Sequence, residues 1–402
     1  MNNYVHLYRK LEGDLLKRYL FISNSSKPTK EKAMSRDTIS LGSVRRPCVE
    51  TAHELGYEIW VGVNKEKPEE LKADTDYPIY FYDSHTYRNI LAFQDNYIAF
   101  HNAMRILKKG NFEVIHCNTP VGGIIGRLCG RLAKVPHVIY TVHGFHFYKG
   151  APLFNRTVLK WAEMIMAHWT DVIITMNQED YEAAKKFKLR NNGKVYYVPG
   201  VGIDTDVYKN IVVDRASIRS TLGLKDTDIV CISMGDLIPR KNYIAAIKAI
   251  AKCKNPNLHY LICGKGPELE NLKMLVKKLS VENQIHFLGF RTDIKELLKT
   301  ADIFLFTTLQ EGMPRSMMEA MASGLPCIAS KIRGNVDLLE DEKGGFLVAV
   351  DDLDIIAEKL RILSSDIELR KKMSERNLVR ILDFDTAKVK EIIGKIYREE
   401  LG

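Results

Sequence analysis

The chain has 402 residues, of which 46% are hydrophobic and 27% are charged, and its formal net charge is +9. Such a composition belongs to ordinary globular proteins, and the length allows two domains with a sizeable core each. Seven cysteines without a C-x-x-C pair argue against a disulfide framework and a thiolate zinc site, so we expect a reducing, cytoplasmic compartment.

The first stretch carries charges at Arg9, Lys10, Glu12 and Asp14, which interrupt the apolar run that a signal peptide needs. No later stretch is apolar over the length that spans a bilayer. A long polar loop is expected over residues 24–40. We therefore expect neither a secretion signal nor a membrane-spanning helix.

Short apolar runs alternate with helical patterns along the chain. In the first half the predicted strands cover residues 19–23, 59–63, 79–82, 114–116, 138–141, 172–175 and 195–198. In the second half they cover residues 229–234, 259–263, 285–288, 303–306 and 327–329. Continuous apolar runs indicate strands that are buried on both faces, so we predict parallel sheets between layers of helices.

The segment Pro199-Gly200-Val201-Gly202 breaks regular structure and predicts a domain boundary. The predicted fold class is α/β, with two doubly wound, Rossmann-like parallel-sheet domains facing a cleft. The expected domains are 1–199 and 200–382, and residues 383–402 are expected to form a helix that packs back on the first domain. Ligands of such sheets bind at the carboxyl ends of the strands, so the cleft is the expected active site.

The positive charge is concentrated in the first half, with +8 over residues 1–200 and +1 over the rest. Residues 96–162 contain nine basic side chains and one acid, Glu113. The nine are Arg105, Lys108, Lys109, Arg127, Arg131, Lys134, Lys149, Arg156 and Lys160. This field favours an anionic partner such as membrane lipid, a lipid diphosphate or nucleic acid, whereas solvated helix faces are the plainer explanation.

Two polar segments follow predicted strands in the first half. The sequence HCNTPVGG at 116–123 places Thr119 at a turn that either admits a ligand or starts a helix. The sequence TVHGFHFYKG at 141–150 places His143 and His146 at a strand end. His143 can hydrogen-bond a ligand hydroxyl, and a buried, satisfied histidine is the alternative.

Residues 153–169 show apolar side chains at helical spacing, with Arg156 and Lys160 among them. The apolar positions are Phe154, Val158, Trp161, Ile165 and Trp169. Such a helix can lie in a membrane interface with its tryptophans at headgroup level. A helix that faces the core of the first domain is the alternative, and we favour it.

Two further loops follow strands in the second half. In MGDLIPRKN at 234–242, Arg240 and Lys241 precede a helix and can neutralise a leaving diphosphate without a metal, unless they are a surface pair. In CGKGPE at 263–268, Gly264 and Gly266 allow close backbone approach to a ligand, although a lone G-x-G is often only a tight turn.

The strongest signal is EGMPRSMMEAMASGLP at 311–326, which predicts a helix over 314–323 that starts near a proline and ends before glycine and proline. Its free N–H groups and positive dipole end form an anion site suited to a diphosphate. Glu311 and Glu319 can accept hydrogen bonds from sugar and ribose hydroxyls. The alternative is a capped helix with a dipole-complementing Glu311 and a solvated Glu319. Neither D-x-D nor a Cys/His set marks a metal site.

With these motifs the chain resembles glycosyltransferase family 4, retaining enzymes of the GT-B fold, and within it the bacterial capsular and exopolysaccharide transferases. The resemblance covers residues 18–395 and rests most on HCNTPVGGIIGRL, TVHGFHFYKGAP, VPGVGIDTDVY and the Glu-x7-Glu stretch at 311–319. It implies transfer of a hexosyl or N-acetylhexosaminyl group from a UDP-sugar to a lipid-linked glycan acceptor. It also implies a peripheral position at the inner face of the cell membrane, and no metal or other cofactor.

The resemblance also implies a role for each site residue. Glu311 contacts the donor sugar, Lys241 binds the diphosphate and His143 lines the cleft, and these three are the catalytic candidates. Glu319 holds the nucleotide ribose, and residues 288–293 lie near the base. The other expected donor-binding residues are Arg240, Gly235, Met313, Pro314, Arg315, Ser316, Gly264, Gly266 and Phe290. The expected acceptor-binding residues are Gly42, Arg45, Thr119, Gly144, Phe145 and His146.

The chain departs from the family pattern in two places. Many members carry an arginine directly after the glycine of the MGD segment, where this chain has Asp236, and Arg240 can supply the missing charge. The Gly-rich loop after the first strand is reduced to Leu41-Gly42-Ser43, followed by Arg45 and Arg46.

Other functions compete with sugar transfer. A sugar-nucleotide epimerase shares the architecture, but Glu311 and Glu319 together with TVHGFHFYKG favour transfer. An inactive binding module would have lost the cleft residues, which are all present. A nucleic-acid binder explains the basic window but not a phosphate-binding helix start.

Overall fold

The computed structural model describes residues 17–24, 38–65 and 67–402. The chain forms two compact units: one ends at Gly200 and also contains Val389–Gly402, and the other comprises Val201–Lys388. Most of the polar loop expected over residues 24–40, and nearly all of the segment before the first strand, lie outside the described residues.

The first unit is built on a seven-stranded parallel sheet with the order β5-β3-β1-β6-β7-β8-β9. Its strands are β1 Arg18–Ile22, β3 Glu58–Val63, β5 Ile79–Asp83, β6 Phe112–Asn118, β7 His137–Val142, β8 Val172–Thr175 and β9 Lys194–Tyr197. A short parallel pair, β2 Thr38–Ile39 with β4 Lys72–Ala73, lies beside it. Each predicted strand of the first half corresponds to one of these.

Helices cover both faces of this sheet. They are α1 Gly42–Glu54, α2 Phe93–Lys108, α3 Pro120–Leu132, α4 Lys160–Ala167 and α5 Gln178–Ala184, with a π-helical turn at Asn155–Leu159. Buried side chains of α2, α3, α4 and α5 share one apolar layer, and α1 contributes to the layer on the opposite face. The strands between them are buried on both sides, as their continuous apolar runs indicate.

The second unit contains a six-stranded parallel sheet with the order β12-β11-β10-β13-β14-β15. Its strands are β10 Ile229–Met234, β11 Leu258–Cys263, β12 Ile285–Gly289, β13 Ile303–Phe306, β14 Cys327–Ser330 and β15 Gly345–Val348. Its helices are α6 Thr205–Lys209, α7 Arg215–Thr221, α8 Tyr243–Cys253, α9 Leu269–Lys278, α10 Ile294–Thr300, α11 Arg315–Ala322, α12 Asn335–Leu338, α13 Leu353–Ser365 and α14 Ile367–Arg380. The sequence did not predict β15, which is short and begins at the second of two glycines.

The last helix, α15 Thr386–Leu401, joins the first unit from Val389 onward, rather than from residue 383. Its buried Tyr397 places its hydroxyl 2.7 Å from that of Tyr19 and 2.6 Å from His116 Nδ1. These contacts fix the chain end to the central strands of the first sheet.

The expectation that residues 153–169 form a core-facing helix is wrong for most of their length. Leu153 is 73% exposed and Trp161 is 69% exposed. Burial begins only at Met166 and Ala167, at the end of α4. Among the described residues, no helix is long and apolar enough to cross a membrane.

Candidate active site

The donor-side candidates lie in the second unit, at the carboxyl ends of the strands. Pro314 caps α11 in an extended conformation, with φ −79° and ψ 109°, so the helix begins one residue later than predicted, at Arg315. The first-turn N–H groups of a helix lack intrahelical acceptors, and the positive end of the dipole lies there. Met313 is half-buried and Ser316 lies in the first turn.

Glu311 is held by three donors at one carboxylate oxygen. Its Oε1 lies 2.8 Å from Lys241 Nζ, 3.0 Å from an Arg240 guanidinium nitrogen and 2.9 Å from Thr308 Oγ1. Arg240 also donates to the backbone carbonyl of Gln310. The Glu311 side chain is 11% exposed and is fixed between two cations, so it is not a freely solvated helix cap.

Arg333 is a third cation of this region, and the sequence reasoning missed it. It follows the carboxyl end of β14, is buried, and its Nε donates to the Glu311 backbone carbonyl over 3.1 Å. Next to it, Gly334 has φ +80°, and a Cβ there would lie 2.3 Å from the Gly312 carbonyl oxygen. The available signal was its position just after a predicted strand.

Glu319 lies inside α11, where it accepts a hydrogen bond of 3.0 Å from Arg315 Nε. Burial raises the pKa of the nearby Tyr208 hydroxyl, and the charge of Glu319 raises it further. The Glu319 side chain is only 17% exposed. The alternative of a solvated carboxylate therefore does not describe this residue.

The glycines of the CGKGPE loop allow this loop to pack closely on the loop at 235–237. A Cβ on Gly264 would lie 1.9 Å from the Gly235 carbonyl oxygen, and a Cβ on Gly266 would lie 2.3 Å from the Leu237 carbonyl oxygen. These glycines thus allow close approach of a neighbouring loop, and their expected contact with a ligand stays a prediction. Gly235 itself has φ +148° and lies against Lys241. Phe290, in the adjacent loop after β12, is 71% exposed.

His143 follows β7 in the first unit. Its Nε2 hydrogen-bonds the side-chain oxygen of Asn118, the last residue of β6. Burial lowers the pKa of His143 to about 4, so the imidazole is neutral at physiological pH. Asn118 is a second residue that the sequence reasoning missed, although it lies in HCNTPVGG, just after the predicted strand 114–116.

The segment after His143 contains a glycine with a positive φ and a buried phenylalanine. Gly144 has φ +131°, and the Phe145 side chain is buried, stacked on Phe147 with ring centroids 4.6 Å apart. The Phe145 side chain packs in the core, so the expected acceptor contact of this residue would fall to its backbone. His146 is exposed, and its carbonyl accepts a hydrogen bond of 3.0 Å from Asn155.

The remaining acceptor-side candidates surround the start of two helices. Thr119 has φ +69° just before α3, and its hydroxyl accepts a bond of 2.9 Å from the Asn24 N–H. Gly42, with φ +63°, is the first residue of α1. Arg45 is half-buried in that helix, and burial lowers its pKa. Within the described ranges, no group of His, Cys, Asp and Glu could hold a metal ion.

Family models match both halves of the chain. The model described as "Glycosyltransferase Family 4" matches residues 48–207, and the one described as "Glycosyl transferases group 1" matches residues 214–379. The first match covers His143, and the second covers Arg240, Lys241, Glu311 and Glu319.

The chain is similar to a putative glycosyltransferase, EpsD, of Bacillus subtilis (strain 168), with 31% identity over 307 residues, 75% of this chain and 80% of the relative. It is also similar to an Escherichia coli UDP-Gal:alpha-D-GlcNAc-diphosphoundecaprenol alpha-1,3-galactosyltransferase, with 33% identity over 267 residues, 65% of this chain and 69% of the relative. The crystal structure of Anabaena HepE with UDP and glucose shares the fold, with a TM-score of 0.73, 20% identity and coverage of 95% of this chain and 100% of that one. The protein is therefore a glycosyltransferase of family 4 with the GT-B fold.

Proposed function

We propose that the protein is a retaining glycosyltransferase that moves a sugar from a UDP-sugar to a lipid-linked glycan in capsular or exopolysaccharide synthesis. The observation that carries the proposal is the Glu311 carboxylate, fixed by Arg240 and Lys241 beside the start of α11. Names of relatives support the substrate class: the Escherichia coli relative uses UDP-Gal and a diphosphoundecaprenol acceptor, and Anabaena HepE binds UDP and glucose.

In this proposal the second unit binds the donor. Lys241, Arg240 and the first N–H groups of α11 bind the diphosphate, while Glu319 accepts hydrogen bonds from the ribose diol. The exposed ring of Phe290 lies in the loop assigned to the base. Arg240 and Arg333, which bond to residues 310 and 311, provide the positive charge that many family members supply with an arginine at the position of Asp236.

Transfer follows from these positions. Glu311 accepts hydrogen bonds from the donor sugar's hydroxyls and keeps the two cations aligned on the diphosphate. As the bond between the anomeric carbon and phosphate breaks, an oxygen of the leaving phosphate takes the proton of the acceptor hydroxyl on the same face, and the hydroxyl oxygen bonds to that carbon. The neutral His143 serves as a hydrogen-bonding group for the sugar and does not carry charge.

The test is release of UDP in the presence and absence of a lipid-linked acceptor. We expect release to depend on the acceptor and to persist in EDTA, because the cations at 240 and 241 take the place of a metal. A thermal-shift panel of nucleotide sugars identifies the donor, since a ligand that binds only the folded state raises the Tm. Conversion of the donor to its epimer without acceptor would instead establish the epimerase alternative.

Glu319→Ala is expected to raise the Kd for the nucleotide by roughly tenfold or more, because hydrogen bonds to a charged group contribute about 1.5–3 kcal/mol each. Isothermal calorimetry with UDP measures the change. The control is Glu358→Ala on α13, whose carboxylate is paired with Lys359. An unchanged Kd in Glu319→Ala would remove the ribose role.

His143→Ala is expected to lower kcat by about tenfold while the Tm stays near that of the wild type, because one hydrogen bond contributes about 0.5–1.5 kcal/mol. With its folded pKa near 4, His143 is uncharged at neutral pH, so the neutral limb of the pH–rate profile should keep its shape. His101→Ala, at an exposed position of α2, is the control. A large fall in Tm with little change in kcat would assign His143 to the core instead.

The lipid-linked acceptor places the proposed reaction at a membrane surface. The first unit carries most of the excess charge, and Lys108, Lys109 and Arg131 are exposed there. Arg127 is not available to lipids: it is fully buried and pairs with Glu163 over 2.7 Å. We propose peripheral binding to anionic lipid through the exposed part of this charge.

A further inference from the structure

We infer that residues 153–165, named here the docking segment, form the surface by which the first unit inserts into the interface of an anionic bilayer. The inference deepens the proposed function, because it rests on a membrane-linked acceptor and names the surface that meets the membrane. It rests on apolar side chains that the sequence pattern assigned to a core and that are exposed in the structure.

The docking segment exposes a continuous set of large apolar side chains. They are Leu153, Phe154, Val158, Trp161, Met164 and Ile165. Scattered single residues of this kind are ordinary on protein surfaces, but a contiguous set marks a contact with another protein or with a membrane. Tryptophan suits the headgroup level of a bilayer, since its ring is apolar and its N–H is polar.

The two uncharged polar side chains of the docking segment, Asn155 and Thr157, have hydrogen-bond partners within the protein. Residues Asn155–Leu159 form a π-helical turn, a rare conformation that often marks functional sites. The Thr157 hydroxyl donates to the Leu153 carbonyl over 2.8 Å, and the Asn155 amide donates to His146. These polar side chains are bonded within the protein, so the outward face that remains is largely apolar.

A groove of about 510 Å³ lies on the docking segment. Apolar side chains of Val158, Trp161 and Met164 line it, and Arg156 and Lys160 flank them. Long basic side chains can place their stems on apolar surface while their charges reach anionic headgroups. The groove thus combines apolar surface with positive charge, and these match the acyl chain and the anionic headgroup of a lipid.

The charge around the docking segment selects anionic lipid as the occupant. Residues 114–162 contain no Asp or Glu, whereas Lys149, Arg156 and Lys160 are exposed. The next acid, Glu163, is paired with the buried Arg127. An apolar strip flanked by these three cations, with Glu179 bonded to the Lys149 N–H over 2.7 Å, complements a bilayer with negative headgroups.

A second exposed apolar strip extends the same side of the sheet. It comprises Ile90, Leu91, Phe93 and Tyr97, before and within the first turns of α2. The helices α2 and α4 both pack in the same apolar layer. Since a helix that follows a parallel strand begins near the carboxyl edge of the sheet, both strips start at the edge that also carries His143. Membrane contact there would bring a lipid-linked acceptor to that edge.

The test is co-sedimentation of the full chain with vesicles of phosphatidylcholine, with and without phosphatidylglycerol. We expect binding to the anionic vesicles and partial release at high salt. The variant Phe154→Ser/Trp161→Ser should bind at least roughly tenfold more weakly, because two large apolar side chains no longer leave water. The variant Arg156→Gln/Lys160→Gln should show a weaker preference for anionic vesicles, because Lys108, Lys109 and Arg131 remain.

The matched control is Ile367→Ser/Val379→Ser, which changes two exposed apolar side chains of the second unit and should bind like the wild type. Wild-type binding by Phe154→Ser/Trp161→Ser would overturn the inference, as would equal binding of the wild type to both vesicle types. A dimer that the same double variant disperses, without vesicle binding, would overturn it in favour of a protein interface. Donor affinity, measured by calorimetry, should not change in either docking variant. A loss of affinity only in a variant would mean that the variant misfolds, whereas a wild type without donor affinity would overturn the proposed function.

Discussion

Glu311→Gln is expected to lower kcat by roughly 100-fold or more, with a smaller change in donor KM. Glutamine keeps the size of the side chain and one acceptor oxygen, but it removes the charge that Lys241 and Arg240 contact at 2.8 Å and 3.0 Å. Those cations then lose their fixed orientation, and the sugar loses a charged hydrogen-bond acceptor. Both losses act on the step in which the leaving diphosphate develops charge.

The measurement is the steady-state rate of acceptor-dependent UDP release, with kcat and KM determined separately. Glu340→Gln is the matched control, because Glu340 is also paired with an arginine of the second unit, Arg376, at 2.7 Å. We expect that control to stay within about twofold of the wild type, since partly exposed ion pairs contribute little. A Glu311→Gln enzyme with nearly normal kcat would show that the carboxylate only organises the loop, and the proposed role in transfer would fall.

The local patterns of the sequence predicted the strands well and placed the donor-side candidates at strand ends, for a physical reason. Parallel strands buried on both faces must be continuously apolar, and residues directly after them meet at one edge of the sheet. Lys241 and Glu311 follow β10 and β13, which are neighbours in the sheet, and the structure brings their charged atoms into contact. Their roles in sugar transfer stay a prediction.

Contacts between segments that are distant in sequence could not be predicted in the same way. Arg333 reaches the Glu311 backbone from a loop with no distinctive motif, and Tyr397 reaches His116 from the end of the chain. The packing of the CGKGPE glycines on the loop at 235–237 could not be predicted either, because the two loops are separated in sequence. Side-chain identity constrains what a residue can bind, but only the assembled fold decides which partner is within reach.

The docking segment illustrates the limit of periodicity. Apolar side chains at helical spacing predict one apolar face, but the pattern is the same whether that face meets a core or a membrane. Here an ion pair joins the inner side of α4 to α3: Glu163 contacts Arg127 at 2.7 Å. The sequence grouped Arg127 with the cations of the basic window, and it favoured a core position for the apolar side chains of residues 153–169.

The second large effect is expected for the ion pair between Arg127 and Glu163. Arg127 is fully buried: its Nε donates to the Gly123 carbonyl over 2.9 Å, and its guanidinium lies 3.9 Å from the centre of the Tyr140 ring. One of its terminal nitrogens has no hydrogen-bond acceptor among the described residues. The charge therefore depends on Glu163 for compensation, and removal of Glu163 leaves a buried cation without a counterion.

Glu163→Leu is expected to destabilise the first unit by about 3 kcal/mol or more, while Arg127→Met/Glu163→Leu should recover most of the loss, because an apolar pair of similar volume often replaces a buried ion pair without net cost. Urea unfolding followed by tryptophan fluorescence reports on this unit alone, since Trp60, Trp161 and Trp169 all lie in it. The surface pair Glu182–Lys185 gives the control, and Glu182→Ala should change the free energy of unfolding by less than about 0.5 kcal/mol. A double variant no more stable than Glu163→Leu would mean that Arg127 stabilises α3 through its packing on Tyr140, and that its charge needs no partner.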